Sequence, residues 1–219
     1  MQSISTARSE SQILATNKVL KNTYGLLSLT LLFSALTAGI SMSMNVPHFG
    51  LLTIVGYIAL LFLTAKFRDS SLGILFVFML TGFMGLTLGP ILNAYMATAN
   101  GGQLIMTALG GTGAIFLALS GYVLTSRKDF SFMGGFLMVG ILVAFLAGLG
   151  ALFFQMPILS LAVSGMFVLL MSGMILYQTS EIIHGGETNY IMATVTLYIS
   201  IYNLFLSLLH ILGALSGDD

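Results

Sequence analysis

Most of this chain consists of uncharged hydrophobic stretches that are separated by short charged clusters. The stretches at residues 22–65, 70–126 and 130–180 are each long enough for two membrane crossings of about 20 residues, and residues 188–217 are long enough for one. Each longer stretch has one internal break rich in Asn, Gly or Pro, the residue types that favour turns: Asn45–His48, Asn93–Gln103 and Gln155–Pro157. The pattern predicts an all-α integral membrane protein with seven transmembrane helices.

The predicted crossings form a single membrane domain over residues 23–217, preceded by a polar tail over residues 1–22. They lie near residues 24–44, 49–66, 72–96, 103–125, 132–154, 157–182 and 189–215. A chain that is 57% hydrophobic and 6% charged does not have the composition of a soluble globular domain. The segments between the crossings are too short for a soluble catalytic or nucleotide-binding module, so we expect the function to lie in the bundle or at its faces.

The basic residues all fall at one end of the predicted hairpins. Arg8, Lys18 and Lys21 precede the first crossing, and the other four are Lys66, Arg68, Arg127 and Lys128. Cytoplasmic loops of membrane proteins carry an excess of Lys and Arg. The distribution therefore predicts a cytoplasmic N-terminus and an external C-terminus, with the lipid bilayer as the surroundings of the helices.

The last predicted helix carries a polar stripe. At 100° per residue, six polar side chains fall within an arc of about 80°, and they are Asn189, Thr196, Ser200, Asn203, Ser207 and His210. A polar stripe inside a bilayer must face protein or water, because an unsatisfied polar group in lipid is costly. We therefore expect six helices around a central seventh, with the stripe forming interhelical hydrogen bonds or lining a water- or ion-filled cavity.

A carboxylate–imidazole group follows the sixth predicted helix. Glu181, His184 and Glu187 are close in sequence and could bind a cation or respond to pH. The alternative is that Gly185–Gly186 ends one helix and Thr188 or Asn189 caps the next, which leaves the charges in solvent. We favour capping, because it explains most of the segment, and we expect no metal site.

Ser164 and His210 are predicted at similar depths on consecutive antiparallel helices, where they could act as nucleophile and base. Ala162-Val-Ser-Gly165 resembles the serine motif of intramembrane proteases, but Ala162 stands where a Gly is usual and no oxyanion-hole donor can be named. We therefore expect this pair to serve helix packing, and we predict no catalytic residue and no enzyme activity.

Several motifs together resemble one membrane-protein family. Gly73-Ile-Leu, Gly85-Leu-Thr-Leu-Gly-Pro-Ile-Leu92 and Ala108-Leu-Gly-Gly-Thr-Gly-Ala-Ile-Phe116 are similar to the signature of the transmembrane BAX inhibitor motif family, with Phe76 as a departure from a small residue. The segments Asn17–Tyr24 and His184–Ile191 resemble the bacterial branch of that family. The likeness covers essentially the whole chain.

The resemblance implies a non-enzymatic protein of the bacterial inner membrane that binds the membrane-anchored FtsH protease and restrains it. It agrees with six helices around a seventh, and it implies no cofactor and no nucleic-acid partner. The alternative within the family is a calcium leak channel, governed by paired aspartates on the sixth and seventh helices. Gln178 and Ser200 stand at those two positions. Since neither side chain titrates, we expect no pH switch, and a Gln–Ser hydrogen bond could form a permanent latch instead.

Overall fold

The computed structural model describes the backbone of residues 2–216 and the side chains of residues 14–216, and over these residues it contains helices and no strand. The seven α-helices are α1 (Gln2–Ser43), α2 (Leu51–Lys66), α3 (Ser71–Met96), α4 (Gly101–Ser126), α5 (Gly134–Phe153), α6 (Pro157–His184) and α7 (Tyr190–Ser216). A 3-10 turn at Ser131–Met133 precedes α5. The all-α prediction is confirmed for the described residues.

Six of these helices are long and apolar enough to cross a membrane; for α1 the candidate span is Leu14–Ser43. The exception is α2, which has 16 residues and is therefore about 24 Å long, somewhat shorter than the roughly 30 Å hydrocarbon core of a bilayer. A seventh crossing at α2 stays a prediction, as does the orientation of the termini.

The first helix begins much earlier than the predicted boundary near Tyr24. Residues 2–22, predicted as a separate polar tail, continue the first apolar span as one helix of 42 residues. No Gly or Pro interrupts Gln2–Thr23, and Ala, Leu, Gln and Lys in this segment favour helix. A change from polar to apolar composition marks where a helix could enter a membrane, but it does not break the backbone.

The centre of the bundle differs from the predicted arrangement of six helices around a seventh. The seventh helix, α7, packs against α1, α2, α3, α4 and α6, but α5 lies outside and contacts only α6 and the turn that precedes it. Three residues of α5 are buried, against eleven of α3 and twelve of α7. Every side chain of α5 is apolar, so no polar group requires that helix to face protein rather than lipid.

The interface between α1 and α3 is unusually close. A Cβ atom at Gly85 would overlap Thr37 Oγ1 and the Ser34 carbonyl oxygen of α1, and one at Gly89 would overlap the Ser41 side chain. Small residues of this kind let two backbones approach where lipid provides no hydrophobic drive for association. The glycine pair of the family-like motif therefore serves helix packing.

A proline in α3 strengthens the same interface. Pro90 has no N–H, so the carbonyl of Leu86 four residues earlier loses its helical partner. The Ser41 hydroxyl of α1 donates to that carbonyl at 2.7 Å. A hydrogen bond within a helix is thus replaced by one between helices.

Tyr198 of α7 joins the same two helices. Its hydroxyl lies 2.6 Å from Ser34 Oγ of α1 and 3.3 Å from the Thr81 carbonyl oxygen of α3, to which it donates. The side chain is fully buried among the residues of the largest core cluster. We call the contacts of Gly85, Gly89, Ser41, Ser34 and Tyr198 the closed interface.

Candidate functional site

One end of the bundle, here called the basic end, carries Lys66 as the last residue of α2, Arg68 in the α2–α3 loop, and Arg127 and Lys128 in the α4–α5 loop. Asn189 connects the first of these loops to α7. Its Oδ1 accepts from the N–H groups of Ile191 and Met192 at 3.1 and 3.0 Å, which caps α7. Its Nδ2 donates to the Arg68 carbonyl oxygen at 3.1 Å and to Asp69 Oδ1 at 2.8 Å. One side chain thus starts α7 and holds the α2–α3 loop.

Ser180 and His184 hold the second basic loop. Ser180 Oγ accepts from the N–H of Phe130 at 2.9 Å. The two ring nitrogens of His184 lie 3.2 Å from the Arg127 carbonyl oxygen and 2.9 Å from that of Ser180. The last turns of α6 and the residue before α7 therefore hold both basic loops. Ser180 was not singled out from the sequence, because a serine near a helix end carries no signal of a partner 50 residues away.

Glu181, His184 and Glu187 do not converge on one point. Glu187 Oε1 accepts from the N–H of Asn189 at 2.7 Å, and the Glu181 carboxylate lies against Gly186. The sixth helix ends at Gly185 in the left-handed conformation, with φ of 79°. Within residues 14–216, no group of three His, Asp or Glu side chains is close enough to hold a metal ion. The geometry here is that of helix capping.

Asp129 stabilises the α4–α5 loop. Its Oδ1 accepts from the N–H of Ser131 at 2.8 Å. This hydrogen bond is the main reason that the pKa of Asp129 lies below its ordinary value, with a smaller contribution from the charge of nearby His184. The carboxylate is exposed, so it orders the loop without being buried.

Three stripe residues of α7, namely Thr196, Ser200 and Asn203, line a cleft of about 730 Å³. The remaining walls belong to α2, α3, α5 and α6 and are mainly apolar. The other stripe residues are elsewhere: Asn189 caps α7, Ser207 is buried, and His210 contacts α6.

No hydrogen bond joins Gln178 to Ser200. The Ser200 hydroxyl donates to the Thr196 carbonyl oxygen of its own helix at 2.8 Å. The Gln178 side chain is buried, and its Nε2 has no hydrogen-bond partner among the described residues. The latch considered from the sequence is therefore not formed.

Ser164 and His210, by contrast, are in direct contact. Ser164 Oγ lies 2.7 Å from His210 Nδ1 and 3.2 Å from the Ser160 carbonyl oxygen. A Ser–His nucleophile needs a group that orients the second ring nitrogen, and no described side chain forms a hydrogen bond with His210 Nε2. The geometry supports a hydrogen bond between α6 and α7 near the end opposite the basic loops.

Comparison with known proteins identifies the family. The family model described as "Inhibitor of apoptosis-promoting Bax1" matches residues 16–217, nearly the whole chain. The chain belongs to the BAX inhibitor motif family. The motifs around Gly85 and Gly89, which form the closed interface, thus lie in the segment that carried the resemblance.

Similar members of this family extend over nearly the same length. A protein of Escherichia coli K12 named "Modulator of FtsH protease YccA" is 53% identical over 98% of each chain. A counterpart in Escherichia coli O6:H1, named "Inner membrane protein YccA", is equally similar. An uncharacterised protein of Pseudomonas aeruginosa is 56% identical over 92% of this chain and 91% of its own. Together with the six long apolar helices, these likenesses identify a multi-pass protein of the inner membrane.

Proposed function

We propose that this chain is a non-enzymatic regulator that binds the membrane-anchored FtsH protease and restrains its proteolysis. The observation that carries the proposal is the 53% identity, over 98% of both chains, to the protein named modulator of that protease. In this proposal, the basic end faces the cytoplasm, as its Lys and Arg residues favour, and the C-terminus is external.

The closed interface supplies a physical basis for restraint. A protease that extracts membrane proteins must separate their helices, and here α1, α3 and α7 are joined by glycine contacts and buried hydrogen bonds. Breaking them inside a bilayer leaves polar groups without partners. We infer that the chain resists extraction and thereby occupies the enzyme.

The polar segment at residues 1–22 is proposed as the part that the protease engages first. It is the longest polar segment of the chain and precedes the apolar span of α1. Deleting residues 2–15 is expected to abolish slow turnover of this chain by FtsH, measured by loss of the purified protein over time in liposomes that contain the protease. Unchanged turnover would contradict this role for the segment while leaving inhibition itself open to the next test.

The proposed function is tested by reconstituting FtsH with a known membrane substrate, with and without this chain at equal stoichiometry. Slower loss of the substrate, with this chain surviving beside it, is expected. An unrelated seven-helix membrane protein at the same concentration controls for crowding of the liposomes. Equal substrate loss in all three samples would contradict direct restraint.

A calcium leak is a second candidate for a chain that carries the family's acidic pair, because Thr196, Ser200 and Asn203 line one cleft whose unaltered wall has no charged side chain. Restoring carboxylates at both family positions, by Gln178→Asp with Ser200→Asp, is expected to create pH-dependent calcium flux in liposomes if the cleft belongs to an ion path. The matched control changes Ser207 of the same helix to Asp. Flux equal to that of the unaltered chain would exclude this path at these positions.

A further inference from the structure

The cleft between α2 and α5 has an opening toward the side of the bundle. The backbones of these two helices do not contact each other. The residues at the opening are exposed and apolar: Ile54, Ile58, Met138, Leu142 and Phe145. In a bilayer such a surface faces hydrocarbon, so the cleft is entered from the lipid rather than from water.

The lining also excludes charged occupants. None of the residues around the cleft is Asp, Glu, Lys, Arg or His. A charged group placed in the middle of the membrane without a partner would be strongly disfavoured. An ion or a phospholipid headgroup is therefore a poor occupant, whereas a neutral molecule fits.

Two polar side chains in the wall retain unused hydrogen-bonding capacity. Tyr57 lines the cleft, and its hydroxyl forms no hydrogen bond with the described residues. Asn203 Nδ2 donates to the Ile199 carbonyl oxygen at 2.9 Å, which leaves Oδ1 as a free acceptor among the same residues. A phenol donor and an amide acceptor are together matched by a hydroxyl group, which can both accept and donate.

We propose that this cleft binds a neutral lipid-soluble molecule with a free hydroxyl group, of the long-chain alcohol or diacylglycerol type, which enters sideways between α2 and α5. The apolar chain lies against the Met and Phe side chains of α5 and α6, and the ligand hydroxyl accepts from the Tyr57 hydroxyl and donates to Asn203 Oδ1. A volume of about 730 Å³ suits such a molecule, because ligand sites commonly span about 300–1,000 Å³. The ligand proposal does not depend on binding of FtsH.

The chain contains no Trp, so an introduced Trp is a unique fluorescent reporter. The full chain with Phe167→Trp, which places the reporter in the cleft, is titrated in liposomes with a mid-chain dibrominated long-chain alcohol. Phe116→Trp is the matched control, because Phe116 is half-buried against Tyr24 and does not line the cleft. Saturable quenching is expected at position 167 and not at 116, with competition by the unbrominated alcohol.

The hydroxyl contact is tested with two further probes and two variants. The dibrominated hydrocarbon of equal length is expected to bind the Phe167→Trp chain about fivefold more weakly than the alcohol does, because one hydrogen bond contributes about 1 kcal/mol. The alcohol is expected to lose the same factor in affinity when Tyr57→Phe or Asn203→Leu is added to Phe167→Trp. Equal binding of alcohol and hydrocarbon, or equal quenching at both Trp positions, would overturn the proposal. Quenching of position 167 by dibrominated phosphatidylcholine that the alcohol cannot displace would also overturn it, since a phospholipid chain would then be the occupant. If Phe167→Trp does not fold, Phe145→Trp at the opening reports the same competition.

Discussion

At the closed interface the helices of this bundle pack in direct contact, whereas at the α2–α5 opening two helices stay apart and border a cleft. Gly85 and Gly89 bring α3 against α1, and Ser41 replaces the hydrogen bond that Pro90 removes. Between α2 and α5 there is no backbone contact, and exposed apolar side chains border a cleft. Since lipid is as apolar as these side chains, hydrophobicity alone does not draw helices together. Small residues and polar groups therefore determine which helices pack closely against each other.

Overpacking one glycine should have the largest effect on the closed interface. Gly85→Leu is expected to lower the free energy of unfolding by about 3 kcal/mol, because the new side chain must displace the Ser34 backbone. Gly110→Leu on α4 is the matched control, since a Cβ at Gly110 meets no atom within 4 Å. Unfolding in bicelles measures both, and equal losses of stability would contradict the proposed difference in packing.

Removing the Ser41 hydroxyl should have the next largest effect. Ser41→Ala leaves the Leu86 carbonyl oxygen without a partner, at an expected cost of about 1–2 kcal/mol. In a Pro90→Ala background, the restored N–H can donate to the Leu86 carbonyl oxygen. The free-energy cost of Ser41→Ala should then be less than about half of its cost in the unaltered chain. A cost that is the same in both backgrounds would show that Ser41 does not compensate for the proline.

The Tyr198 hydroxyl should contribute less. Tyr198→Phe is expected to cost about 0.6–1.5 kcal/mol, in the range of interhelical hydrogen bonds inside membranes. Because Ser34 is the partner, the Ser34→Ala and Tyr198→Phe costs should sum to more than the cost of the double variant. Strict additivity in unfolding experiments would mean that the two hydroxyls do not interact.

The smallest effect is expected at the basic end. The pKa of Asp129 is lowered by its hydrogen bond from Ser131, so the ionised carboxylate stabilises the fold above the ordinary aspartate pKa of about 4, and this contribution is lost as the pH falls through the lowered pKa. The stability difference between the unaltered chain and Asp129→Asn should therefore be larger at pH 7 than at about pH 3. A difference independent of pH would contradict this role.

Helix positions could largely be predicted from the sequence because charges and turn residues punctuate it. The predicted crossings at 72–96 and 157–182 correspond to α3 (Ser71–Met96) and α6 (Pro157–His184). The start of α1 could not be placed in this way, since polarity changes at Tyr24 while helix propensity does not. The exclusion of α5 from contact with α7 was missed, because hydrophobicity shows that a helix lies in the membrane and not which helix it contacts.

The candidate sites were predictable to a lesser degree. The α7 stripe predicted residues that avoid lipid, and three of its six members, Thr196, Ser200 and Asn203, line one cleft. The position of Tyr57 in the wall of the cleft could not be anticipated, since one tyrosine in an apolar helix shows no periodicity. The hydrogen bond between Ser41 and Leu86 had a usable signal in Pro90, which identifies the carbonyl four residues earlier as lacking its usual helical partner.

The most direct test of restraint by the closed interface measures FtsH degradation of this chain and of a second membrane substrate in the same liposomes. The unaltered chain and Gly110→Leu are expected to survive and to slow loss of the substrate, whereas Gly85→Leu is expected to be degraded and to restrain the protease less. Equal survival and equal restraint by all three would contradict the account, because the closed interface would then have no part in resisting the protease.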